Sequence, residues 1–218
     1  MIELISIHIP KTAGRSFLAI LNSVYGENHI SHYETNFFPD KSTPEILQFK
    51  SQLKKDTRVI HGHFHYKEIQ DIHKTSSSKV VTWLRDPVER VISNYSFFIK
   101  RASQPSAESE IQGRKNETLL HYARLDNSRN RMVKFMDGLN LGDFYFIGLM
   151  ENFSGDIEVL AGMLNWKKTA VPRINDNSEF KLQLPEVTNE ERKIIEDLNK
   201  EDIELYKRVL EIHKNRKT

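Results

Sequence analysis

Cysteine is absent from this chain of 218 residues. Disulfide scaffolds, thiolate metal sites and cysteine nucleophiles are therefore excluded. Long apolar runs are missing as well, because no stretch approaches the roughly 18–20 residues that cross a bilayer. The first residues contain neither a basic segment nor a long apolar one, so we expect no signal peptide.

A strong excess of one charge sign is also missing. The chain has 32 basic and 30 acidic residues, which gives a formal net charge of +2. This balance is too even for a protein that holds nucleic acid by charge alone, so we expect neither nucleic acid nor a membrane as a partner. Apolar residues make up 38% of the chain, which is enough for a packed α/β or helical domain.

Short runs rich in β-branched residues alternate with segments of helical spacing along the chain. Strands are predicted at residues 2–9, 58–60, 79–84 and 144–148, and helices at residues 17–24, 44–54, 88–98, 117–125, 128–137, 157–164 and 188–212. Loops are predicted at residues 103–115 and 166–187, and residues 27–43 show no periodicity. We therefore predict one P-loop-like α/β domain over residues 1–218, with a mostly parallel sheet flanked by helices.

The first candidate site follows the first predicted strand and reads Pro10-Lys11-Thr12-Ala13-Gly14-Arg15-Ser16. A tight turn between a strand and a helix directs several backbone N–H groups and the positive end of the helix at one point, which suits a phosphate. It is not a Walker A loop, since GxxxxGK[ST] is absent and the lysine precedes the glycine. A plain turn with an exposed lysine is the alternative interpretation.

The second candidate site follows the strand at residues 79–84. Arg85 ends that strand, and Ser93 lies eight positions later, near the start of the next helix, so both side chains could hold one phosphate group. Asp86 and Pro87 are better explained as the N-cap and first residue of that helix. For Arg85 alone, a structural salt bridge is the more common role.

The third candidate site is His61-Gly62-His63-Phe64-His65, directly after the strand at residues 58–60. A histidine at this edge of a sheet could act as a general base, because its pKa lies close to neutral. Spacing at every second residue would also let all three rings bind a metal ion. A structural cluster of histidines is the third interpretation.

Together these segments resemble the carbohydrate sulfotransferases, particularly the heparan sulfate 2-O- and 6-O-sulfotransferases and their bacterial relatives. Residues 9–17 resemble the family's 5′-phosphosulfate loop, and residues 81–93 resemble its 3′-phosphate motif. The histidine segment resembles both branches, and both alignments put the catalytic base on His63, with His61 as the second candidate. Residues 127–132 and 146–153 resemble two later segments of the family.

The resemblance implies transfer of a sulfuryl group from 3′-phosphoadenosine 5′-phosphosulfate (PAPS) to an acceptor hydroxyl, on a carbohydrate, with 3′,5′-adenosine bisphosphate (PAP) as product and no metal ion. His63 would be the base, and Lys11 would stabilise the leaving phosphate. The residues implied for donor binding are Lys11, Thr12, Ala13, Gly14, Arg15, Ser16, Arg85 and Ser93. Arg15 stands where the family usually has threonine. No membrane anchor or stem is visible in the sequence, and in this respect the chain resembles a bacterial cytoplasmic enzyme.

Three other functions remain open from the sequence. A P-loop kinase of a small hydroxyl compound would use ATP and Mg²⁺ and should have the Walker A loop that this chain lacks. A non-catalytic anion-binding module would use the histidines only for structure. A metal hydrolase would be built on His61, His63 and His65.

Overall fold

The structure is a computed structural model that describes residues 1–33, 44–167 and 186–216. Its strands are β1 (Leu4–Ile7), β2 (His29–His32), β3 (Val59–Gly62), β4 (Lys79–Leu84) and β5 (Phe146–Leu149). Its helices are α1 (Gly14–Tyr25), α2 (Pro44–Ser51), α3 (Tyr66–Ser76), α4 (Pro87–Ala102), α5 (Ser109–Gly113), α6 (Leu119–Arg124), α7 (Arg131–Met136), α8 (Phe153–Met163), α9 (Asn189–Leu198) and α10 (Lys200–Arg216). The described residues divide into two units, one comprising residues 1–85 and 132–167 and the other residues 86–131 and 186–216.

The first unit contains a sheet of five parallel strands in the order β2-β3-β1-β4-β5. Strands β1, β3 and β5 are buried along their whole length, and β4 is buried after its first residue. Parallel strands covered on both faces read as continuous apolar runs, which is the pattern that the sequence shows at these positions. The predicted α/β architecture with a parallel sheet flanked by helices is confirmed.

One apolar core of the first unit lies between the sheet and helices α1 and α8. Its buried residues are Leu4, Phe17, Ile20, Leu21, Val59, Val81, Trp83, Phe146, Ile157 and Leu160. Burying side chains of this size contributes about 1.5–3 kcal/mol each. This core fixes α1 against the strands and therefore fixes the turn that joins β1 to α1.

The second unit is helical, and its core is formed by Val91, Leu119, Ala123 and Ile195. Asp86 caps α4, since its side chain accepts a hydrogen bond from the Glu89 backbone N–H at 3.0 Å. Thr188 and Glu191 form a capping box at the start of α9. Over the described residues of both units, no helix has the length and apolar character to cross a membrane.

Several element predictions were wrong. Strand β2 and helix α3 were not predicted, and the short helix α5 lies inside the predicted loop at residues 103–115. The predicted final helix is two helices, because the buried Asn199 ends α9, with its side-chain amide donating to the Ile195 carbonyl and its Oδ1 accepting from the Asn130 N–H. Most of the predicted loop at residues 166–187, and most of residues 27–43, for which the sequence shows no periodicity, lie outside the described residues.

Candidate active site

Three neighbouring strands end at the same edge of the sheet, because β1 lies between β3 and β4 and all three are parallel. The chain leaves β1 through His8 and a turn over residues 9–16, which we call the β1–α1 turn. It leaves β3 through His63 and β4 through Arg85. Ligand sites of open α/β sheets lie at this edge. The fold thus places parts of all three candidate sites next to one another.

The β1–α1 turn has an unusual backbone conformation. Lys11 and Ala13 both have left-handed backbone angles, with φ of 73° and 70°, and Ala13 is the N-cap of α1. Left-handed residues other than glycine cost about 1–3 kcal/mol each and are concentrated at functional sites. Alternation of such residues directs successive N–H groups to one point, and the start of α1 adds N–H groups without an intrahelical acceptor. This geometry is typical of phosphate-binding turns.

The side chains of the turn have different surroundings. Thr12 is buried, and its hydroxyl donates to the Ile9 carbonyl at 2.8 Å, so its hydroxyl proton is already used to hold the turn. Ser16 is buried in the first turn of α1, and the Lys11 side chain is partly exposed. Arg15 is exposed. Burial raises the pKa of Tyr33 and lowers that of His8, and the positive charge of Arg15 opposes the first shift and adds to the second. The Arg15 guanidinium is therefore close enough to act electrostatically on the histidine segment.

Arg85 and the β1–α1 turn are in contact, although 74 positions separate Arg85 from Lys11. The Arg85 Nη1 donates to the Lys11 carbonyl oxygen at 3.4 Å. Ser93, in contrast, is a half-buried residue of α4 in the second unit. The pairing of Arg85 with Ser93 around one phosphate therefore stays a prediction.

His61 is fully buried, and protein atoms lie at hydrogen-bonding distance from both of its ring nitrogens. Nδ1 is 2.8 Å from the Ser6 hydroxyl oxygen, and Nε2 is 3.1 Å from the Tyr33 hydroxyl oxygen. Burial is the main cause that lowers the pKa of His61 to about 3, and the neighbouring His63 lowers it further. His61 is thus a neutral ring near pH 7, held in place by two neighbours.

His63 has a tautomer that can be deduced from its neighbour. Its Nδ1 lies 3.2 Å from the backbone carbonyl oxygen of Tyr33. A carbonyl only accepts hydrogen bonds, so Nδ1 carries the proton and the neutral ring has its lone pair on Nε2. His63 can therefore accept a proton at Nε2. The Nε2 atom is itself buried, so a substrate hydroxyl reaches it only when neighbouring side chains shift.

His65 does not share the contacts of the other two histidines of the segment. It is the N-cap residue of α3, where its Nδ1 lies 3.4 Å from a carboxylate oxygen of Glu68, and its ring packs on Phe135 with 4.3 Å between ring centroids. In the described parts of the chain, no group of three or more histidine, aspartate or glutamate side chains is placed to hold a metal ion. The contacts of His65 thus indicate a structural role at the start of α3.

Sequence reasoning missed two residues of this site, His8 and Tyr33. The ring of His8 lies 4.4 Å from that of His63 and 5.1 Å from that of His61, measured between centroids. Tyr33 follows β2, and burial raises the pKa of its phenol to about 12, so it stays protonated and can donate. His8 lies within the strand predicted at residues 2–9, and its position directly before the turn is a signal that could have identified it.

Comparisons with known proteins identify the family of this chain. A model of the sulfotransferase family matches residues 2–207. Among solved structures, the chain is similar to a sulfotransferase from Alicyclobacillus acidocaldarius, with a TM-score of 0.51 and 14% identity over 93% of this chain and 92% of that one. It is also similar to the mouse sulfotransferase SULT7A1 complexed with PAP, with a TM-score of 0.49 and 13% identity over 77% of this chain and 59% of that one.

No curated protein matches the sequence. The Alicyclobacillus acidocaldarius structure is 14% identical to this chain and therefore supports the α/β fold alone. The family model, in contrast, extends over nearly the whole chain, including β1, the β1–α1 turn, the histidine segment and Arg85. This chain belongs to the sulfotransferase family.

Proposed function

We propose that this sulfotransferase moves a sulfuryl group from PAPS to an acceptor hydroxyl on a carbohydrate, with His63 as the general base. The observation that carries the proposal is the combination, at one edge of the sheet, of a turn with two left-handed residues before a helix and a histidine whose Nδ1 lies against a backbone carbonyl. A hydroxyl is a poor nucleophile, so a base near the site of the donor phosphate is the arrangement that the reaction needs.

Two observations make His61 the weaker candidate for the base. A base with a pKa of about 3 takes a proton at neutral pH only with difficulty, and both nitrogens of His61 already have neighbours within 3.1 Å. We therefore assign proton removal to His63 Nε2. His61 then acts as a support that holds the Tyr33 hydroxyl through its own Nε2.

The β1–α1 turn fits the 5′ end of the donor. Lys11 supplies a positive charge there, and the N–H groups of the turn and of the α1 start add directed donors. These groups would stabilise negative charge that grows on the leaving phosphate. Thr12 would contribute its backbone N–H and not its hydroxyl, whose proton is bound to the Ile9 carbonyl. When bound, PAPS supplies the sulfuryl group that is transferred.

Arg85 and Ser93 are assigned to the 3′-phosphate, which is the group that distinguishes this donor from ATP. Their spacing and their resemblance to the 3′-phosphate motif support the assignment, and Arg85 lies at the end of β4, within reach of the β1–α1 turn. An arginine–phosphate hydrogen bond contributes about 1.5–3 kcal/mol. The carbohydrate acceptor is supported by the family resemblance alone.

Radiolabelled transfer from [³⁵S]PAPS to a panel of polysaccharides and small hydroxyl compounds tests this proposal. The His63→Ala variant should lose about 10²–10⁴-fold in turnover and keep its affinity for PAP, since a base acts in the chemical step. The matched control is His73→Ala, which removes a half-buried histidine of α3 that contacts the Tyr66 hydroxyl. Full turnover in His63→Ala would overturn the assignment of the base.

Donor recognition is tested by affinity for PAP. The Arg85→Ala variant should bind PAP about 10- to 100-fold more weakly, because a charge-assisted hydrogen bond to phosphate is lost. Arg58→Ala is the control, since Arg58 precedes β3 at the opposite edge of the sheet and pairs with Glu3 at 2.8 Å. Transfer of phosphate from ATP by the wild-type protein, with no sulfuryl transfer, would favour a kinase instead.

A further inference from the structure

His8 is a buried histidine at the centre of the candidate site that has no role in the function proposed above. It follows the last residue of β1, and its backbone N–H donates to the Gly62 carbonyl at 2.8 Å, so the strand pairing continues as far as this residue. Only 7% of His8 is exposed. Its ring is therefore fixed by the residues around it.

One side of the ring rests on the β1–α1 turn. A Cβ atom added to Gly14 would lie 1.9 Å from His8 Cδ2 and 2.0 Å from His8 Nε2, which shows that the ring lies directly on the Gly14 backbone. The only residue that tolerates such an approach is one without a side chain. The identity of residue 14 is thus explained by the position of the His8 ring.

The other side of the ring contacts the base. The ring centroids of His8 and His63 are 4.4 Å apart at an angle of 50°, and His8 stacks on His61 at 5.1 Å and 19°. Tyr33 meets His8 edge-on at 5.5 Å. His8 therefore lies between the turn that would hold the donor and the histidine that would accept the proton.

The Nδ1 atom of His8 and the charge of its ring both bear on what the side chain can do. Its Nδ1 is buried and has no hydrogen-bond partner among the described residues, so no hydrogen bond from that atom orients the ring. Burial is the main cause that lowers the pKa of His8 well below its ordinary value, and neighbouring basic groups lower it further, so the ring is neutral near pH 7. A neutral ring of this kind fills space without adding a charge beside the base.

We propose that His8 is a positioning residue for the base: its ring, wedged between Gly14 and His63, holds the His63 ring in the orientation that keeps Nδ1–H on the Tyr33 carbonyl and the lone pair on Nε2. The inference rests on the proposed role of His63. It predicts that side-chain volume at position 8 matters for turnover and that a nitrogen atom there does not.

Three variants test the proposal. His8→Ala removes the ring, His8→Asn removes its outer part and keeps a polar group near the place of Nδ1, and His8→Leu restores most of the volume without nitrogen. The ¹⁵N spectrum of the imidazoles at pH 8 reports which nitrogen of His63 carries the proton, and the His63 signal is assigned by its absence in His63→Gln. Turnover, PAP affinity and melting temperature are measured for each variant.

The expected wild-type signal is that of a ring protonated at Nδ1. His8→Ala, or His8→Asn if the alanine variant does not fold, should give a mixture of tautomers and at least about a tenfold loss of turnover, because small displacements of a catalytic group are costly. PAP affinity should change less than threefold. His8→Leu should restore the tautomer and most of the turnover, with a melting temperature no lower than that of the wild type.

Two results would overturn the inference. One is an unchanged His63 tautomer in every variant. The other is a leucine variant with the wild-type tautomer that turns over as slowly as the alanine variant, since a nitrogen of His8 would then take part in the reaction. Failure of the proposed function is distinguishable, because it would show as full turnover in His63→Ala or as no binding of PAP, whereas the ¹⁵N spectra report on His8 and His63 in either case.

Discussion

The His8 ring packs closely on the Gly14 backbone, and each residue limits what the other position accepts. The Gly14→Ala substitution puts a methyl group 1.9 Å from the buried His8 ring. Because an overpacked site must shift, we expect the free energy of unfolding in urea to fall by about 1–3 kcal/mol. Adding His8→Ala to the same chain should recover part of that loss, since the ring that clashes is gone.

Gly162 offers the matched control for this pair. It lies within α8, and a Cβ atom added there meets nothing within 4 Å. Gly162→Ala should leave stability unchanged or raise it by up to about 1 kcal/mol, as expected for alanine in a helix. Wild-type stability in Gly14→Ala, or losses that simply add in the double variant, would contradict the packing described for His8.

The two buried histidines also predict how stability depends on pH. Burial is the main cause that lowers the pKa of His61 to about 3 and the pKa of His8 well below its ordinary value of 6.5. Below pH 6.5 the unfolded chain therefore takes up protons at these rings while the native protein does not. The free energy of unfolding has its full value above about pH 6.5 and decreases as the pH is lowered toward 5. The slope of this decrease approaches about 1.4 kcal/mol per pH unit for each ring.

The variant His61→Gln isolates one of these contributions. Its stability at pH 7 is expected to be lower, but its slope between pH 6.5 and pH 5 should be smaller than that of the wild type by about 1.4 kcal/mol per pH unit. The measurement is urea unfolding at several pH values. An identical slope in both proteins would show that His61 is protonated in the native state.

At the scale of elements, the break between α9 and α10 depends on the side chain of Asn199. This buried amide donates to the Ile195 carbonyl at 2.8 Å and accepts from the Asn130 N–H at 2.9 Å. Asn199→Ala leaves two polar backbone groups without these partners, so we expect unfolding in urea to show a loss of about 2–4 kcal/mol. The exposed neighbour Lys200→Ala should change stability by less than about 0.5 kcal/mol. Equal effects would contradict the role given to Asn199.

The elements that were predicted and those that were missed differ in how clearly their apolar residues form a pattern. Strand β4 and helix α4 were predicted with nearly correct bounds, because an apolar run followed by Asp86 and Pro87 gives both a strand pattern and a cap. Strand β2 was missed because it is an edge strand with two histidines and a serine among its four residues. Helix α3 was missed because its buried face includes Tyr66 and Glu68, which do not read as apolar.

At the scale of the whole sheet, the candidate site is a product of strand order. The strands that carry the turn, the histidines and Arg85 are neighbours because β1 lies between β3 and β4, and the sequence motifs predicted which segments would bind but not this order. His8 and Tyr33 could not be assigned from the sequence, because their contacts with His61 and His63 run between strands and depend on the register of β1, β2 and β3. The candidate motifs were thus visible in the sequence, and the side chains that pack against them were not.

Selective recognition of a nucleotide with a 3′-phosphate is the central claim, and a thermal shift comparison of PAP with ADP and 5′-AMP tests it most directly. At a hundredfold excess over its dissociation constant, PAP should stabilise the native protein by about 2.7 kcal/mol, or about 5–10 °C for a chain of this size. The shift should be much smaller for ADP and 5′-AMP, reduced in Arg85→Ala and retained in Arg58→Ala. A wild-type protein that is stabilised by ADP as much as by PAP would contradict the account.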